Sequence, residues 1–290
     1  MTTDKAHLPE LPALMVEAQV RAALEEDLGR AGDITSQATI GPDKTARCSV
    51  AVREAGVVCG MTLAATAFRL IDPTIRFEAH VFDGDPVEPG HRIASVEGPA
   101  RGVLAAERVA LNFLMHLSGI ASHTARFAAL IADTPARITC TRKTLPGLRA
   151  VEKFAVRCGG GSSHRYGLDD AILIKDNHIA VCGGIAASLN AARAFAGHLV
   201  KIEIEVDTLE QFAEVLAHGG ADVVLLDNMG ADLLAEAVKM NAGRLVLEAS
   251  GNVDLSTVHA IAETGVDFIS TSKITMAAPT LDIGLDIAIS

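Results

Sequence analysis

Between about residue 138 and residue 273, six short apolar segments recur with Ala-rich stretches between them. The segments are ITCTRK, AILIKDNH, KIEIEVD, DVVLLDN, RLVLEASG and DFISTSK. The stretches between the later ones, such as LEQFAEVLAHGG and LLAEAVKM, carry helical periodicity. Strand, helix, strand at a spacing of roughly 20 to 35 residues predicts successive βα units and a parallel sheet. Each segment is apolar at its start and polar at its end. The endings are Arg142 and Lys143, Lys175 and Asp176, Glu205, Asp227 and Asn228, Ser250, and Ser270 and Ser272. In an α/β barrel all carboxyl ends of the strands open on one face, where active sites are built. In an open sheet the cleft forms only at the switch point. Six consecutive polar endings favour one shared barrel mouth.

The region before this array reads differently. Residues 13–28 predict a helix entered through Pro12 and ended by Gly29, with Asp33 and Thr35 in the polar turn that follows. Residues 46–98 hold short alternating runs separated by Asp-Gly, Pro-Gly and Glu-Gly turns, which predicts a small β-rich layer. Residues 103–117 return to a strong helix, with Arg108, Asn112 and His116 on one face. The tail, LDIGLDIAIS, alternates as a half-buried strand that returns to the N-terminal sheet. The expected division is an N-terminal domain over 1–118, with 280–290 returning to it, and a barrel over 119–279.

Composition narrows the function. The chain has 290 residues, 49% hydrophobic, enough for a sizeable core, with no Trp and one Tyr. A formal net charge of -11 argues against wrapping nucleic acid or anionic lipid. Cys48, Cys59, Cys140, Cys158 and Cys182 are dispersed without a C-x-x-C pair, which fits free thiols in a reducing compartment. No continuous apolar run approaches the roughly 18 residues of a membrane span, and the N-terminus lacks a signal-like apolar region. The expected location is the cytoplasm. His7 gains no support from its neighbours.

Within this acidic chain, residues 142–175 hold Arg142, Lys143, Arg149, Lys153, Arg157, Arg165, Lys175 and His164 against only Glu152, Asp169 and Asp170. Arg forks match carboxylate and phosphate geometry, and the Gly159-Gly160-Gly161 run lets backbone amides approach an anion. The ligand is therefore expected to carry several negative charges. Arg149, Lys153 and Arg157 fit a solvated helix face equally well. Glu205 and Asp227 form a second cluster, suited to developing positive charge, a metal or sugar hydroxyls. Glu203 shares a face with Glu205, and Asp207 suits a helix cap, so the strand alone does not single out Glu205. Ser250-Gly251-Asn252, before a helix, offers N–H groups to a phosphate, and Thr271-Ser272-Lys273 could complete the cup. His178 suits either tuning of the site or satisfaction of a backbone group. No His/Cys set has transition-metal spacing, and neither G-x-S-x-G nor a P-loop occurs.

The blocks TRKTLPGLR (141–149), GGGSSHRYGL (159–168), ILIKDNH (172–178), IEVD (204–207), LLDNM (225–229) and LEASGN (247–252) resemble, in order, those of the quinolinate phosphoribosyltransferases. EEDLGRAGDIT (25–35) and AERVALNFLMHLSGIAS (106–122) are similar to that family's N-terminal domain. The resemblance implies an N-terminal α/β sandwich plus an incomplete parallel α/β barrel, of type II phosphoribosyltransferase kind. It implies transfer of phosphoribosyl from phosphoribosyl pyrophosphate to quinolinate with decarboxylation, in de novo NAD synthesis, with Mg²⁺. It further implies homodimers with shared active sites, and leaves a hexamer open. By position, Arg142, His164, Arg165 and Lys175 would hold the quinolinate carboxylates, with Arg108 supplied across the dimer interface. Lys143 would meet substrate or phosphates. Glu205 and Asp227 would contact ribose and metal, and Ser250, Gly251 and Ser272 the phosphate. The last segment departs from the family: Ser272 and Met276 stand where many members have Gly and His. A related phosphoribosyltransferase for another pyridine acid, a Schiff-base lyase using Lys175 or Lys143, and a non-catalytic anion binder are the competing readings.

Overall fold

The computed structural model describes residues Leu8–Ala288. His7 and the last two residues of the expected terminal strand lie outside them. In chain order the elements are α1 (Ala13–Leu28), α2 (Ile34–Thr39), β1 (Thr45–Val52), β2 (Gly56–Val57), α3 (Met61–Ile71), β3 (Arg76–Ala79), β4 (Pro86–Val87), β5 (Arg92–Pro99) and α4 (Ala100–Leu130). There follow β6 (Arg137–Thr139), α5 (Arg149–Cys158), β7 (Ile172–Ile174), α6 (Asp176–Cys182), α7 (Ile185–Phe195), β8 (Ile202–Val206) and α8 (Leu209–His218). The chain continues through β9 (Val223–Asp227), α9 (Ala231–Asn241), β10 (Val246–Ser250), α10 (Val258–Ala262), β11 (Phe268–Ser270), α11 (Lys273–Met276) and β12 (Ile283–Ala288). Two compact units emerge. One takes the chain up to Ala125 with Pro146–Gly160 and Ala278 onward; the other takes Arg126–Leu145 and Gly161–Ala277.

The first unit is built on a four-stranded antiparallel sheet in the order β12-β1-β5-β3. α1 packs on α3, and α3 on β3. α1 covers the predicted residues, but the β-rich reading of 46–98 missed α3. Leu63, Ala64, Ala67 and Phe68 are at most 1% exposed, so the helix face was written in the sequence but hidden between turn-rich strands. Asp33, expected in a turn, instead caps α2 by accepting the Ser36 N–H at 3.0 Å. α4 runs well past the predicted 103–117. It is long and apolar enough to cross a membrane by length and composition, but 61% of that window is buried within the protein. Val103, Ala106, Ala110, Leu114, Leu117 and Ala121 recur at helical spacing and are at most 1% exposed, the stripe of a core helix.

The second unit is a six-stranded, all-parallel sheet in the order β6-β11-β10-β9-β8-β7. All six predicted strands are present. β6 and β7, the two ends, do not pair with each other among the described residues, so the barrel stops short of closure. Strand alternation sorts the residues. On β8, which α8 contacts, Ile202, Ile204 and Val206 share one face and are at most 1% exposed. Glu203 and Glu205 therefore share the opposite, interior face. On β9 and β10 the same alternation sets Asp227, Glu248 and Ser250 on that face.

Candidate active site

The carboxyl ends of the six strands gather the chemistry. Leu173 on β7 is in register with Glu203 on β8, so the next residue pair inward, Lys175 and Glu205, falls side by side. The Lys175 ammonium and the Glu205 carboxylate form an ion pair. Ser250 is in register with Asp227. Asp227 accepts a hydrogen bond from Asn228 Nδ2 at 2.6 Å. Burial pushes the Asp227 carboxyl up, and Asp207 nearby pushes it further, against the opposing pull of Lys175 and Lys143. Asp207 does not cap the next helix: Thr208 does, accepting the Gln211 N–H at 3.2 Å.

Beyond the end of β6, Arg142 is half-buried and Lys143 exposed. The Lys143 carbonyl accepts from Thr275 Oγ1 at 2.8 Å. Arg165 lies near enough to Arg142 for the two guanidiniums to repel. Burial first, then Arg142, lowers the Arg165 pKa, with Glu203 and Asp170 opposing. Arg165 Nη1 donates to the Ala171 carbonyl at 3.1 Å. Asp170 braces the turn after it, accepting the Tyr166 and Gly167 N–H groups at 2.7 and 2.9 Å. The buried Nε of Arg165 and Oγ of Ser163 have no hydrogen-bond partner among the described residues. An accepting ligand or an ordered water would complete such donors.

His164 is held from two sides. Its Nε2 stands 3.0 Å from Glu203 Oε2 and 3.7 Å from Glu248 Oε1. Its Nδ1 accepts the Arg165 backbone N–H at 2.8 Å. Neither carboxylate was singled out from the sequence; only the shared face of Glu203 and Glu205 pointed there. The three side chains bring potential metal-ligating atoms within 4.8 Å of one another, a set that residue spacing could not reveal because it joins three distant segments.

The phosphate-type features differ from expectation in detail. No helix starts at Ser250-Gly251-Asn252; α10 begins only at Val258. The turn is instead shaped by backbone: Gly251 at φ 91° and Asn252 and Asn228 at φ 55°. A Cβ at Gly251 would come within 2.2 Å of Asn228 Oδ1, so the close approach of the two turns requires glycine. β11 ends at Ser270, and Ser272 leads into the four-residue α11. Lys273 is engaged by Asp254 at 3.3 Å, and Met276 is exposed. His178 satisfies a backbone group, accepting the Lys175 N–H at 2.9 Å.

Other sequence candidates lie elsewhere. Arg108 is exposed on α4, in the first unit. Arg149, Lys153 and Arg157 belong to α5, also in the first unit, and Lys153 is fully buried, so a solvated face does not describe it. Beside it, Glu152 is also fully buried and meets His116 Nε2 at 2.9 Å.

A parallel barrel whose mouth sets crowded guanidiniums beside a lysine, two carboxylates and a tight Ser-Gly turn is an enzyme for a multiply anionic substrate. Family models for the N-terminal and C-terminal domains of quinolinate phosphoribosyl transferase match residues 33–118 and 120–286. A Bacillus subtilis (strain 168) protein named probable nicotinate-nucleotide pyrophosphorylase (carboxylating) is 41% identical over 265 residues, 91% of each chain. A Nicotiana glauca protein named quinolinate phosphoribosyltransferase (decarboxylating) 2, mitochondrial, is 40% identical, covering 96% of this chain and 84% of that one. The solved nicotinate-nucleotide pyrophosphorylase from Francisella tularensis matches with a TM-score of 0.93 at 38% identity, covering 97% of this chain and 99% of its own. The chain belongs to the quinolinate phosphoribosyltransferase family.

Proposed function

We propose that this protein transfers the phosphoribosyl group of phosphoribosyl pyrophosphate to the ring nitrogen of quinolinate, with loss of CO₂. The products are nicotinate mononucleotide and pyrophosphate, and the reaction serves de novo NAD synthesis. Besides family membership, the feature that carries the reading is two partly buried guanidiniums at the strand ends: burial first, then the charge of Arg142, lowers the Arg165 pKa, and an anionic ligand would offset both.

In this reading Arg142, Arg165 and Lys175 hold the two carboxylates, with His164 behind them. The pyridine nitrogen attacks the anomeric carbon, the bond to pyrophosphate breaks, and its electron pair leaves with pyrophosphate. Positive charge then develops on the ribose, where Glu205 and Asp227 face it. Lys143 meets the leaving pyrophosphate, and Ser250, Gly251 and Ser272 the 5′-phosphate. Once the ring nitrogen is quaternised, the 2-carboxylate leaves as CO₂ and a proton replaces it. The residues fit Mg²⁺: Asp227 is a carboxylate whose burial and acidic neighbour Asp207 favour a counter-cation. Glu205 and Asp227 would hold it, where it would neutralise charge on the leaving pyrophosphate. The Lys175–Glu205 ion pair favours this chemistry over a Schiff-base lysine, which must be uncharged to attack.

Arg108, exposed on α4, suits contribution of a further cation across a homodimer interface. Dispersed cysteines, among which four of five are buried, suit a cytoplasmic setting. The test is CO₂ release from carboxyl-labelled quinolinate, with phosphoribosyl pyrophosphate and Mg²⁺ each omitted in turn. Release that requires all three is expected. A folded protein that binds quinolinate but releases nothing would overturn the assignment, and turnover of nicotinate in its place would move it to another pyridine acid.

A further inference from the structure

Two buried carboxylates beneath an imidazole call for a reason. Glu203 and Glu248 are 7% and 5% exposed. They come from β8 and β10, which flank β9, and both reach toward His164. Packing alone does not account for them, because an apolar side chain of similar size is often as stable or more so at such a site. The hydrogen-bond pattern supplies the reason. A backbone N–H can only donate, so the Arg165 N–H at 2.8 Å makes His164 Nδ1 an acceptor. The ring proton of a neutral imidazole is then on Nε2, where Glu203 Oε2 receives it at 3.0 Å. One face of the ring is thus anchored to the barrel interior, and the other fixes the peptide of the residue whose guanidinium is crowded against Arg142. On the far side, the Ala171 carbonyl and the Asp170 carboxylate hold the same loop.

We propose that Glu203 is a positioning residue of the quinolinate subsite, acting through His164: it fixes the ring with its proton on Nε2, and the ring fixes the backbone of Arg165. The proposal rests on the functional reading above for its substrate. It assigns His164 to support of Arg165, with both ring nitrogens engaged inside the chain.

The experiment compares Glu203→Leu and Glu203→Gln with the unchanged enzyme. Glu203→Leu removes the acceptor and is expected to raise KM for quinolinate roughly tenfold or more, with KM for phosphoribosyl pyrophosphate unchanged. Glu203→Gln keeps an acceptor oxygen and is expected to stay within about threefold of the parent. A Glu203→Leu enzyme with the parent KM, an equal rise in both KM values, or Glu203→Gln as impaired as Glu203→Leu would each overturn it. Ring ¹⁵N shifts of His164 in the unchanged protein, assigned by their loss in His164→Gln, test it independently of any unstable variant. A pyrrole-type Nε2 and a pyridine-type Nδ1 are expected; the opposite tautomer overturns the proposal. Absence of turnover in the unchanged enzyme would sink the functional reading instead, and the tautomer would still decide this one.

Discussion

The two ends of the barrel treat charge in opposite ways. At the amino ends of the strands, charges are matched. Asp222 accepts the Ile202 N–H at 2.9 Å and pairs with Arg193 at 2.9 Å and Lys201 at 3.4 Å. Asp267 accepts the Leu247 N–H at 2.8 Å, and Arg244 donates to the Met240 and Asn241 carbonyls at 2.7 and 3.1 Å. At the carboxyl ends some charges are matched too, Lys175 with Glu205 and Lys273 with Asp254, but like also sits beside like: Arg142 near Arg165, Asp207 near Asp227, Glu203 near Glu248. Matched charge stabilises a fold by itself. Crowded like charge is a cost in the empty protein, and it is relieved by a ligand of the right sign. The contrast separates the end that holds the barrel together from the end that acts.

The largest effect at the mouth is expected from Glu205→Ala, where a carboxylate paired with Lys175 also faces the reacting centre. A charge about 4 Å from a developing cation contributes roughly 4 kcal/mol at an effective dielectric near 20, about a thousandfold in rate. The expected result is a kcat lower by roughly two to three orders of magnitude, with KM for quinolinate changed far less. An unchanged kcat would remove Glu205 from the chemistry. Asp227→Asn sharpens the point. Its carboxylate is crowded by burial and Asp207, so the Asn variant should melt no lower than the parent while kcat falls about a hundredfold or more. A variant that loses stability and activity together would make Asp227 a structural residue.

The opposite end should give the opposite outcome. Burial alone would raise the Asp222 pKa, but the Ile202 N–H, Arg193 and Lys201 outweigh it and hold the carboxyl low. Asp222→Ala leaves a backbone N–H and two cations without their acceptor, and should cost about 1–3 kcal/mol of stability. Its kcat/KM at a temperature where both proteins are folded should match the parent. A loss of activity without a loss of stability would break the comparison.

The strands were legible in the sequence because each ends in polar residues at one level of the barrel, and period-two alternation survives in segments as short as KIEIEVD. Lys175 beside Glu205 and Ser250 beside Asp227 then follow from register, which sequence spacing alone does not supply. α3 was missed because its apolar face sits among turn-rich strands that dominate the local pattern. The supporting carboxylates were hidden for a different reason. Glu203 was visible as a companion of Glu205, but Glu248 lies inside LEASGN, two strands away, and only the fold brings it to His164. The buried state of Lys153 was equally invisible: its helical spacing with Arg149 and Arg157 describes a solvated face as well as a buried one. Long-range packing, not local pattern, decides which charges are paired.

Asp254 offers the finest discrimination, because it stands at the mouth yet behaves like a residue of the other end. It follows β10, and its carboxylate accepts the Ser256 hydroxyl at 2.5 Å and the Ser256 and Thr257 N–H groups at 2.9 and 3.2 Å. It also meets Lys273, just past β11, at 3.3 Å. The Ser256 hydroxyl first, then its N–H, and then Lys273 pull the carboxyl down to about 2 from the ordinary 3.8. A carboxyl lowered on folding binds fewer protons in the folded state than in the unfolded one. Its stabilisation is therefore present above pH 3.8 and is lost as pH falls toward about 2. Asp254→Asn should lower the denaturation midpoint slightly at neutral pH, and the gap to the parent should close across that acid window. Its kcat should stay at the parent value, because the charge is matched within the chain and faces no developing charge. A gap that persists unchanged through the acid window would assign the effect to the Asn side chain itself. A fall in kcat would place Asp254 with the crowded charges of the mouth and show that pairing alone does not separate the two ends.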